Sequence, residues 1–509
     1  MPHSLNNRFT SAIAPAAFAL ALAVLPAQAQ TTDAELAAHP EYTLSGAMPY
    51  PEPGKNVKYA KAPAGYKPFY ISHYARHGSR FHHSADEYKY IAETLAKADS
   101  ANALTPLGKQ VNALAQTLKS EAMPRTGDLT QAGVRQHMGI AKRMAKNFPE
   151  VFKERKASNK KAVPHVKAYA STSGRCIVSM AAFIGELRVQ FPKIEPELVS
   201  GKSYMPFICA FDWGKLDYSK APAYIAESDK LWQKVDPKPL LQKLFADTAY
   251  AAKNIDAGTF YNRLLEITDL FPGMDSSLVA SVEKAANAPV STLREIYTPE
   301  ERITRWKAQN AWWYSLLGTS PLINKSNGTD FAKGTLQNIL DEADTALASI
   351  EPVAATLRFG HDAGLLPLAA LMQLPVANAK VSDLSKLHEQ WNDFRVIPMA
   401  ANMQIVFYRK GDASPTPAKG ASPAPAKAGA TSGATPGADV LVKVLYNEIE
   451  QALPVPCGAS DQNTTMATDA GKTGEKTSAA KAKPAKQNCP AAPYYRWEDF
   501  RTFYSQLTK

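Results

Sequence analysis

Arg76, His77 and Arg80 lie within one five-residue stretch, with Gly78 between them. Like charges this close repel each other unless an anion lies between them, and a guanidinium binds phosphate through two hydrogen bonds. A neutral histidine among such arginines can attack phosphorus as a nucleophile. Residues 69–74 predict a buried strand before the motif, and the glycine permits a tight turn. The stretch therefore predicts a phosphate site at a strand end.

The same order of strand, short loop and helix occurs twice more. Arg175 follows a predicted strand over residues 163–170, and His361 and Asp362 follow another over residues 355–359. Helix N-termini attract anions, and open α/β sheets bind ligands at the carboxyl ends of their strands. The three repeats predict one anion site, although a surface arginine pair and an ordinary helical arginine remain the structural alternatives.

These motifs resemble the Arg-His-Gly-x-Arg signature and the distant His-Asp pair of the histidine phosphatase superfamily, in its acid phosphatase and phytase branch. The resemblance spans about residues 65–450. It implies that His77 becomes a covalent phosphohistidine and that Asp362 protonates the leaving group. It also implies four phosphate ligands: Arg76, Arg80, Arg175 and His361. The expected fold is an α/β fold with a mixed central sheet, flanking helices and a large inserted, mostly α-helical cap domain.

Finer features resemble bacterial multiple inositol polyphosphate phosphatases, among them residues 70–80 and 398–402. Many of those enzymes carry His-Ala-Glu where this chain has His361 and Asp362, and Phe81 replaces a proline that often follows the signature. The resemblance therefore favours hydrolysis of inositol polyphosphates such as phytate but leaves the ring position open. A broad acid phosphatase for sugar phosphates or nucleotides is the alternative, and a non-catalytic phosphate-binding protein is a second one.

The acid must be neutral to protonate a leaving group. This requirement predicts either an acidic pH optimum or a pKa of Asp362 raised by burial and by the bound anion. The expected mechanism needs no metal and no cofactor. His73 and His77 have the spacing of a zinc-binding histidine pair, but no glutamate accompanies them and they lie on a predicted strand.

The composition fits a large soluble protein with an anionic partner. The chain has 509 residues, 45% of them hydrophobic, and a formal net charge of +11. A positive excess suits nucleic acid, an anionic membrane or an anionic small molecule. Because no tract interleaves aromatic and basic residues, we expect a phosphorylated small molecule and no nucleic acid. The oligomeric state is open.

The first 29 residues have the pattern of a signal peptide. Arg8 precedes an apolar stretch over residues 12–25 and an Ala-Gln-Ala sequence that ends at Ala29. This pattern predicts cleavage after Ala29 and export to the periplasm or the medium. A membrane anchor is less favoured because the apolar stretch is short, and no stable membrane association is expected after cleavage.

The rest of the chain divides by composition. We expect an irregular N-terminal arm, a phosphatase core made of two segments, and a helical cap inserted between those segments. These predicted parts are residues 30–68 (arm), 69–189 and 351–509 (core) and 190–350 (cap). Within the cap, Trp306, Trp312, Trp313 and Tyr314 are interpreted as core packing rather than as a substrate platform.

Two low-complexity inserts interrupt the second core segment, at about residues 411–437 and 458–488. Cys457 and Cys489 flank the second insert, and in an oxidising compartment they are the best candidates for a disulfide. Cys176 with Cys209 is a possible second pair.

Overall fold

The computed structural model describes residues 31–54, 57–157, 160–215, 221–322, 327–349, 351, 353–411, 439–459 and 489–509. The predicted signal peptide and almost all of the two low-complexity inserts lie outside these residues. The described strands are β1 (Tyr66–Arg76), β2 (Arg155–Ala157), β3 (Lys160–Ala162), β4 (His165–Ala170), β5 (Glu195–Ser200), β6 (Val353–Gly360), β7 (Asn402–Lys410), β8 (Val440–Tyr446), β9 (Ile449–Glu450) and β10 (Tyr495–Arg496).

Helices surround these strands and fill the long segment between β5 and β6. In chain order they are α1 (Asp33–Ala38), α2 (Ala85–Ser100), α3 (Pro106–Glu121), α4 (Gln131–Asn147), α5 (Pro149–Phe152), α6 (Gly174–Gln190), α7 (Met205–Ile208), α8 (Pro222–Trp232), α9 (Lys238–Leu244), α10 (Thr248–Asn254), α11 (Ala257–Thr268), α12 (Ser276–Ala286), α13 (Thr292–Glu295), α14 (Pro299–Leu317), α15 (Asn327–Asp330), α16 (Lys333–Ala348), α17 (Asp362–Leu371), α18 (Asp393–Val396) and α19 (Trp497–Leu507). None of these helices is long and apolar enough to cross a membrane.

The main sheet is mixed, as the sequence predicts. Its strand order is β10-β8-β7-β1-β6-β4-β5, with β9 paired to β8. Strands β1, β6, β4 and β5 run parallel, whereas β7, β8 and β10 pair antiparallel. The last eight residues of β1 are all buried, because the strand lies in the middle of a sheet that is covered on both faces. The predicted α/β fold with flanking helices is confirmed.

Parallel pairing brings the three motifs to one edge of the sheet. Arg76, the last residue of β1, pairs with Gly360 at the end of β6, and Ala170 of β4 pairs with Phe359. The loops that follow these strands therefore begin side by side. The strand order thus places residues more than 280 positions apart in sequence beside each other.

The segment between β5 and β6 is helical, but its start differs from the prediction. Residues Glu195–Ser200 form β5, which belongs to the sheet and pairs with β4. The helical part therefore begins after β5 rather than at residue 190. Helices α9–α13 pack on α2 and α3 through a shared apolar cluster, to which Val111, Leu244 and Leu264 belong. The division into core and cap remains a prediction.

The N-terminal arm is more regular than predicted. It contains α1 and a 3₁₀ helix over Pro40–Ala47. Thr32 caps α1 by accepting a hydrogen bond from the Glu35 N–H at 3.1 Å, a local signal that sequence reasoning missed. The arm packs against α14 and α18.

Cys457 and Cys489 form the predicted disulfide. Cys176 and Cys209 are free thiols and do not form the alternative pair. Burial raises the pKa of both thiols, to about 12 for Cys176 and about 11 for Cys209. The Cys176 Sγ lies 3.2 Å from the carbonyl oxygen of Gly360, so this thiol packs beneath the end of β6.

Candidate active site

The backbone around His77 is fixed by the strands on both sides of β1. Its N–H donates to the Gly360 carbonyl at 3.0 Å, and its own carbonyl accepts from the Ala400 N–H at 2.9 Å. The preceding Arg76 N–H donates to the Ala401 carbonyl at 2.9 Å. Ala400 has a φ of 58°, an unfavourable backbone for alanine, which marks the loop before β7 as a constrained support.

The His77 ring is held in one tautomer. Its Nδ1 lies 2.9 Å from the Gly78 carbonyl oxygen, which can only accept a hydrogen bond, so Nδ1 carries the proton. In the neutral ring, Nε2 therefore presents a lone pair. Burial holds the pKa of His77 well below its ordinary value, and the charges of Arg76 and Arg175 lower it further. The imidazole is consequently neutral even in acid, as a nucleophile must be.

Three guanidinium groups surround this ring. Burial, followed by the charges of Arg76 and Arg175, lowers the pKa of Arg80 to about 10. The three positive charges therefore act on one another. Arg76 is 2% exposed, and its Nη1 donates to the carbonyls of Gly46 and Ile397. Within the described part of the chain, the buried Nε atoms of all three arginines have no hydrogen-bond partner. Such a cluster favours the binding of a small polyanion.

His361 lies beside the cluster, with its ring centroid 5.6 Å from that of His77. Its Nε2 is 2.9 Å from the Ser171 hydroxyl oxygen, and its Nδ1 is 3.4 Å from Nη2 of Arg175. Burial and then the Arg175 charge lower the pKa of His361 to about 4. The ring is therefore neutral, and the serine after β4 orients it.

Asp362 begins α17 and faces the arginines. Its Oδ2 lies 2.7 Å from Nη2 of Arg76, and its Oδ1 accepts from the Ala363 N–H at 2.7 Å. Burial alone would raise the pKa of this carboxyl, but Arg76, His361 and Arg80 hold it below its ordinary value. The expectation that burial raises the pKa of Asp362 is therefore not met, because the charges of the guanidinium cluster outweigh the effect of burial. A phosphate on the same arginines would add negative charge and raise it.

The loop after His77 is clamped by the start of α4. The Ser79 carbonyl accepts from the Thr130 N–H at 2.9 Å, and the Ser79 N–H donates to Gln136 Oε1 at 2.9 Å. Gly133 lies between these two contacts, and a Cβ there would fall 2.3 Å from the Ser79 carbonyl oxygen. Residues 129–136 thus position the signature loop.

We expect Gly133→Ala to displace the signature loop. The added methyl group would overlap the Ser79 backbone, so the free energy of unfolding should fall by about 1–3 kcal/mol and activity should fall with it. Gly185→Ala is the matched control, because no heavy atom lies within 4 Å of a Cβ at that exposed helical position. The control should gain about 1 kcal/mol from helix propensity. Urea unfolding measures both changes, and equal effects would contradict the proposed clamp.

The N-terminal arm supports Arg76 from the other side. The Gly46 carbonyl accepts a hydrogen bond from Arg76. The preceding residue, Ser45, has a φ of 55°, and its hydroxyl donates to Asp393. Asp393 also accepts from the Trp306 indole N–H at 3.0 Å. Burial raises the pKa of Asp393 from 3.8 to about 6. The arm is thus fastened to α14 and α18 by one buried carboxyl.

We expect Asp393 to make stability depend on pH. Because its pKa is raised in the folded state, its protonated form favours folding below pH 3.8, and this contribution is lost as pH rises through about 6. The loss should reach up to about 3 kcal/mol. Asp393→Asn should remove it, whereas Asp229→Asn, at an exposed position on α8, should not. Urea unfolding at pH 4 and pH 7 tests this, and an unchanged pH difference in Asp393→Asn would contradict it.

A cleft of about 340 Å³ reaches the arginines. Arg76, Arg80 and Asp362 form one part of its wall, and the arm residues 44–47 form another. Most of the rest comes from residues 82–83, from Trp232, from the C-terminal end of α11 with the residues that follow it, and from α14. Trp306 and Tyr314 are fully buried, as predicted. Trp312 and Trp313 are partly buried. They pack against the main apolar cluster, as predicted, and they also line the cleft.

His73 lies outside this cluster. Its ring packs against Phe183 and Phe359 with centroid distances of 5.2 and 5.5 Å. Among the described residues, no group of three or more His, Cys, Asp or Glu side chains is arranged to hold a metal ion. Although His73 and His77 have the spacing of a zinc-binding pair, the His73 ring packs in the apolar core and the His77 ring lies in the candidate active site.

The geometry agrees with the comparison to known families. The family described as histidine phosphatase superfamily, branch 2, matches residues 215–446, which include the His-Asp pair. The signature residues 76–80 lie outside this match but beside the pair in space. This match agrees with the family resemblance that the sequence motifs indicate. No curated protein sequence matches it.

Solved structures with the same fold include two enzymes. One is the Bifidobacterium longum multiple inositol polyphosphate phosphatase in complex with inositol hexasulfate, with a TM-score of 0.61 and 17% identity over 82% of this chain and 95% of that one. The other is the phytase from D. castellii, with a TM-score of 0.54 and 15% identity over 92% and 85%. At these identities the likeness establishes the fold, and the family match over residues 215–446 supports phosphatase activity.

Proposed function

We propose that this histidine phosphatase hydrolyses phosphate monoesters of inositol through a covalent phosphohistidine. One observation carries the proposal. His77 is buried among three guanidinium groups with the lone pair of Nε2 available, and a carboxyl group lies on the same cluster. A site that only captured phosphate would need the arginines but neither a fixed nucleophile nor a proton donor.

In the first step, Nε2 of His77 attacks phosphorus while the bond from phosphorus to the ester oxygen breaks. The proton of Asp362 moves to that oxygen, and the alcohol leaves. In the second step, Asp362 accepts a proton from water as the water oxygen attacks phosphorus. The phosphorus–nitrogen bond breaks, and inorganic phosphate is released. The arginines neutralise the charge on the phosphoryl oxygens throughout.

Asp362 must gain a proton before it can act as the acid. Arg76 holds its carboxyl anionic, so the proton has to arrive with the substrate or from an acidic medium. A phosphate monoester has its second pKa near 6, so below this pH the substrate carries a proton into the site. We therefore expect an acidic pH optimum.

The inositol polyphosphate assignment draws support from sequence features and from the fold. Residues 70–80 and 398–402 resemble inositol polyphosphate phosphatases, and residues 398–402 precede β7 and support the His77 backbone. The similar Bifidobacterium longum enzyme is an inositol polyphosphate phosphatase. We also propose export after cleavage at Ala29, on the pattern of residues 1–29.

The test is phosphate release from phytate, p-nitrophenyl phosphate and a sugar phosphate, measured side by side from pH 3 to pH 8 without added metal. We expect kcat/KM to be higher for phytate than for the other two esters and to reach its maximum at acidic pH. Preference for the other esters would instead indicate a broad acid phosphatase. No release from any substrate would indicate a phosphate-binding protein.

A further inference from the structure

The part of the cleft formed by α11 and α14 carries acidic groups. Glu266 and Asp269 both line it, together with Arg305. The side chain of Glu266 is 42% exposed, so its carboxylate is open to the cleft. Arg305 and His82 hold the pKa of Glu266 below its ordinary value against the effect of burial. Glu266 is therefore an anion at pH 6.

Arg305 is already committed to protein partners. Its Nη2 lies 3.2 Å from Glu266 Oε1, and its Nε donates to Asn262 Oδ1 at 3.1 Å. Its guanidinium carbon also lies 5.9 Å from the Trp232 ring centroid. The side chain is 5% exposed. This arginine is thus held by Glu266 and Asn262 and is not free to bind a second phosphate.

Asp269 is a buried carboxyl without a partner for one oxygen. The residue is 4% exposed, and no hydrogen bond within the described part of the chain reaches its Oδ1. An unpaired buried carboxyl costs stability, so its retention beside the cleft points to a ligand group as the partner. Burial raises the pKa of Asp269 to about 7. Near neutrality it can both donate and accept a hydrogen bond, as a hydroxyl group also does.

Two of the three arginines that line the cleft are paired with carboxylates. Arg76 pairs with Asp362 and Arg305 pairs with Glu266, which leaves Arg80 and Asp269 without an ion pair across the cleft. Burial lowers the pKa of His83, which also lines the cleft, to about 4, so this ring adds no positive charge.

Aromatic faces complete this part of the cleft. Trp232, Trp312 and Trp313 line it, and the last two lie edge to face at 4.8 Å. Carboxyl groups that bind hydroxyls, together with tryptophan faces that contact C–H groups, suit a polyhydroxylated ring. They suit a ring covered with phosphate dianions poorly, because a second dianion would meet Glu266.

We propose that the cleft binds the leaving group as a ring with free hydroxyls against Asp269 and Glu266, so that partially phosphorylated inositols are better substrates than the hexakisphosphate. This inference rests on the proposed function and specifies its substrate. The arginine cluster binds the single phosphate that is cleaved. Glu266 and Asp269 then act as specificity residues on the leaving-group side.

The experiment compares initial rates for inositol hexakisphosphate, an inositol bisphosphate and p-nitrophenyl phosphate at pH 6. We expect kcat/KM for the bisphosphate to exceed that for the hexakisphosphate about tenfold. Glu266→Gln removes the anion and frees Arg305, so this ratio should fall about fivefold. Glu300→Gln, which removes an exposed carboxylate from the first turn of α14, is the matched control and should leave the ratio unchanged.

Asp269→Leu is a second variant, because leucine keeps the branching at Cγ but cannot form hydrogen bonds. It should lower kcat/KM for the bisphosphate about tenfold and affect the hexakisphosphate much less. A wild-type preference for the hexakisphosphate, or an unchanged ratio in Glu266→Gln, would overturn the inference while leaving the proposed function intact. Release from p-nitrophenyl phosphate alone would instead refute the inositol substrate itself.

Discussion

Replacing His77 with alanine should lower kcat by about four orders of magnitude on every phosphate monoester. The variant keeps the arginines and still binds phosphate, but no group remains at the position of Nε2 to form the covalent intermediate. Water would have to attack phosphorus directly, and the pocket provides no base aligned for that attack. Steady-state phosphate release from p-nitrophenyl phosphate measures the loss.

His165→Ala is the control for this variant. His165 begins β4, at the opposite end from the strand termini that form the site, and its side chain is 35% exposed. Its loss should change kcat less than twofold. Unfolding of His77→Ala in urea should show a folded protein, which separates lost chemistry from lost structure. Turnover of the folded His77 variant at the wild-type rate would contradict covalent catalysis at this residue.

Asp362→Asn should slow hydrolysis according to the leaving group. For an inositol ester, whose alkoxide is a poor leaving group, kcat should fall by about 10²–10³, the usual worth of a positioned acid. For p-nitrophenyl phosphate, whose phenolate leaves without protonation, the loss should be far smaller. The asparagine matches the aspartate in size, and its single oxygen can keep one of the two contacts, either with Arg76 or with the Ala363 N–H. Steady-state kinetics on both substrates provide the comparison.

The contrast between the substrates, rather than the loss itself, tests the role of Asp362. Removal of its charge also disturbs Arg76 and would weaken binding of both substrates alike through KM. A matched fall in kcat on both substrates would therefore assign Asp362 to positioning of Arg76 instead of proton transfer.

The motif-bearing strands could be predicted because each is a local pattern. Apolar runs over residues 69–74 and 355–359 predict buried strands, and the residues that follow them carry the chemistry. Parallel pairing then brings Arg76 beside Gly360 without any further signal. The fold class and the cluster of arginines and histidines follow from these patterns.

The support of Arg76 by the N-terminal arm could not be predicted. The Gly46 carbonyl contacts Arg76 on a different segment, 30 positions away. The Ser45 hydroxyl contacts Asp393, which lies 348 positions away. No periodicity in the arm predicts such contacts. A proline- and glycine-rich composition suggests irregular chain, whereas the segment folds because Thr32 caps α1 and the buried carboxyl of Asp393 fastens the arm.

The position of Trp312 and Trp313 at the cleft could not be predicted for a related reason. Trp312 and Trp313 follow Ala311 on α14, a helix with buried residues on several faces, so sequence alone favours core packing for all of its aromatic residues. Their exposure depends on how α14 crosses the opening beside α11 and the arm. Only the tertiary arrangement decides which tryptophans remain in contact with solvent.

The stereochemical course at phosphorus tests the covalent mechanism most directly. The measurement uses a phosphate monoester made chiral with three oxygen isotopes and an acceptor alcohol in place of water, so that the product phosphorus stays chiral. Attack by His77 followed by attack of the acceptor inverts the configuration twice, so the mechanism predicts net retention. Net inversion would mean a single direct displacement and would contradict a phosphohistidine intermediate at His77.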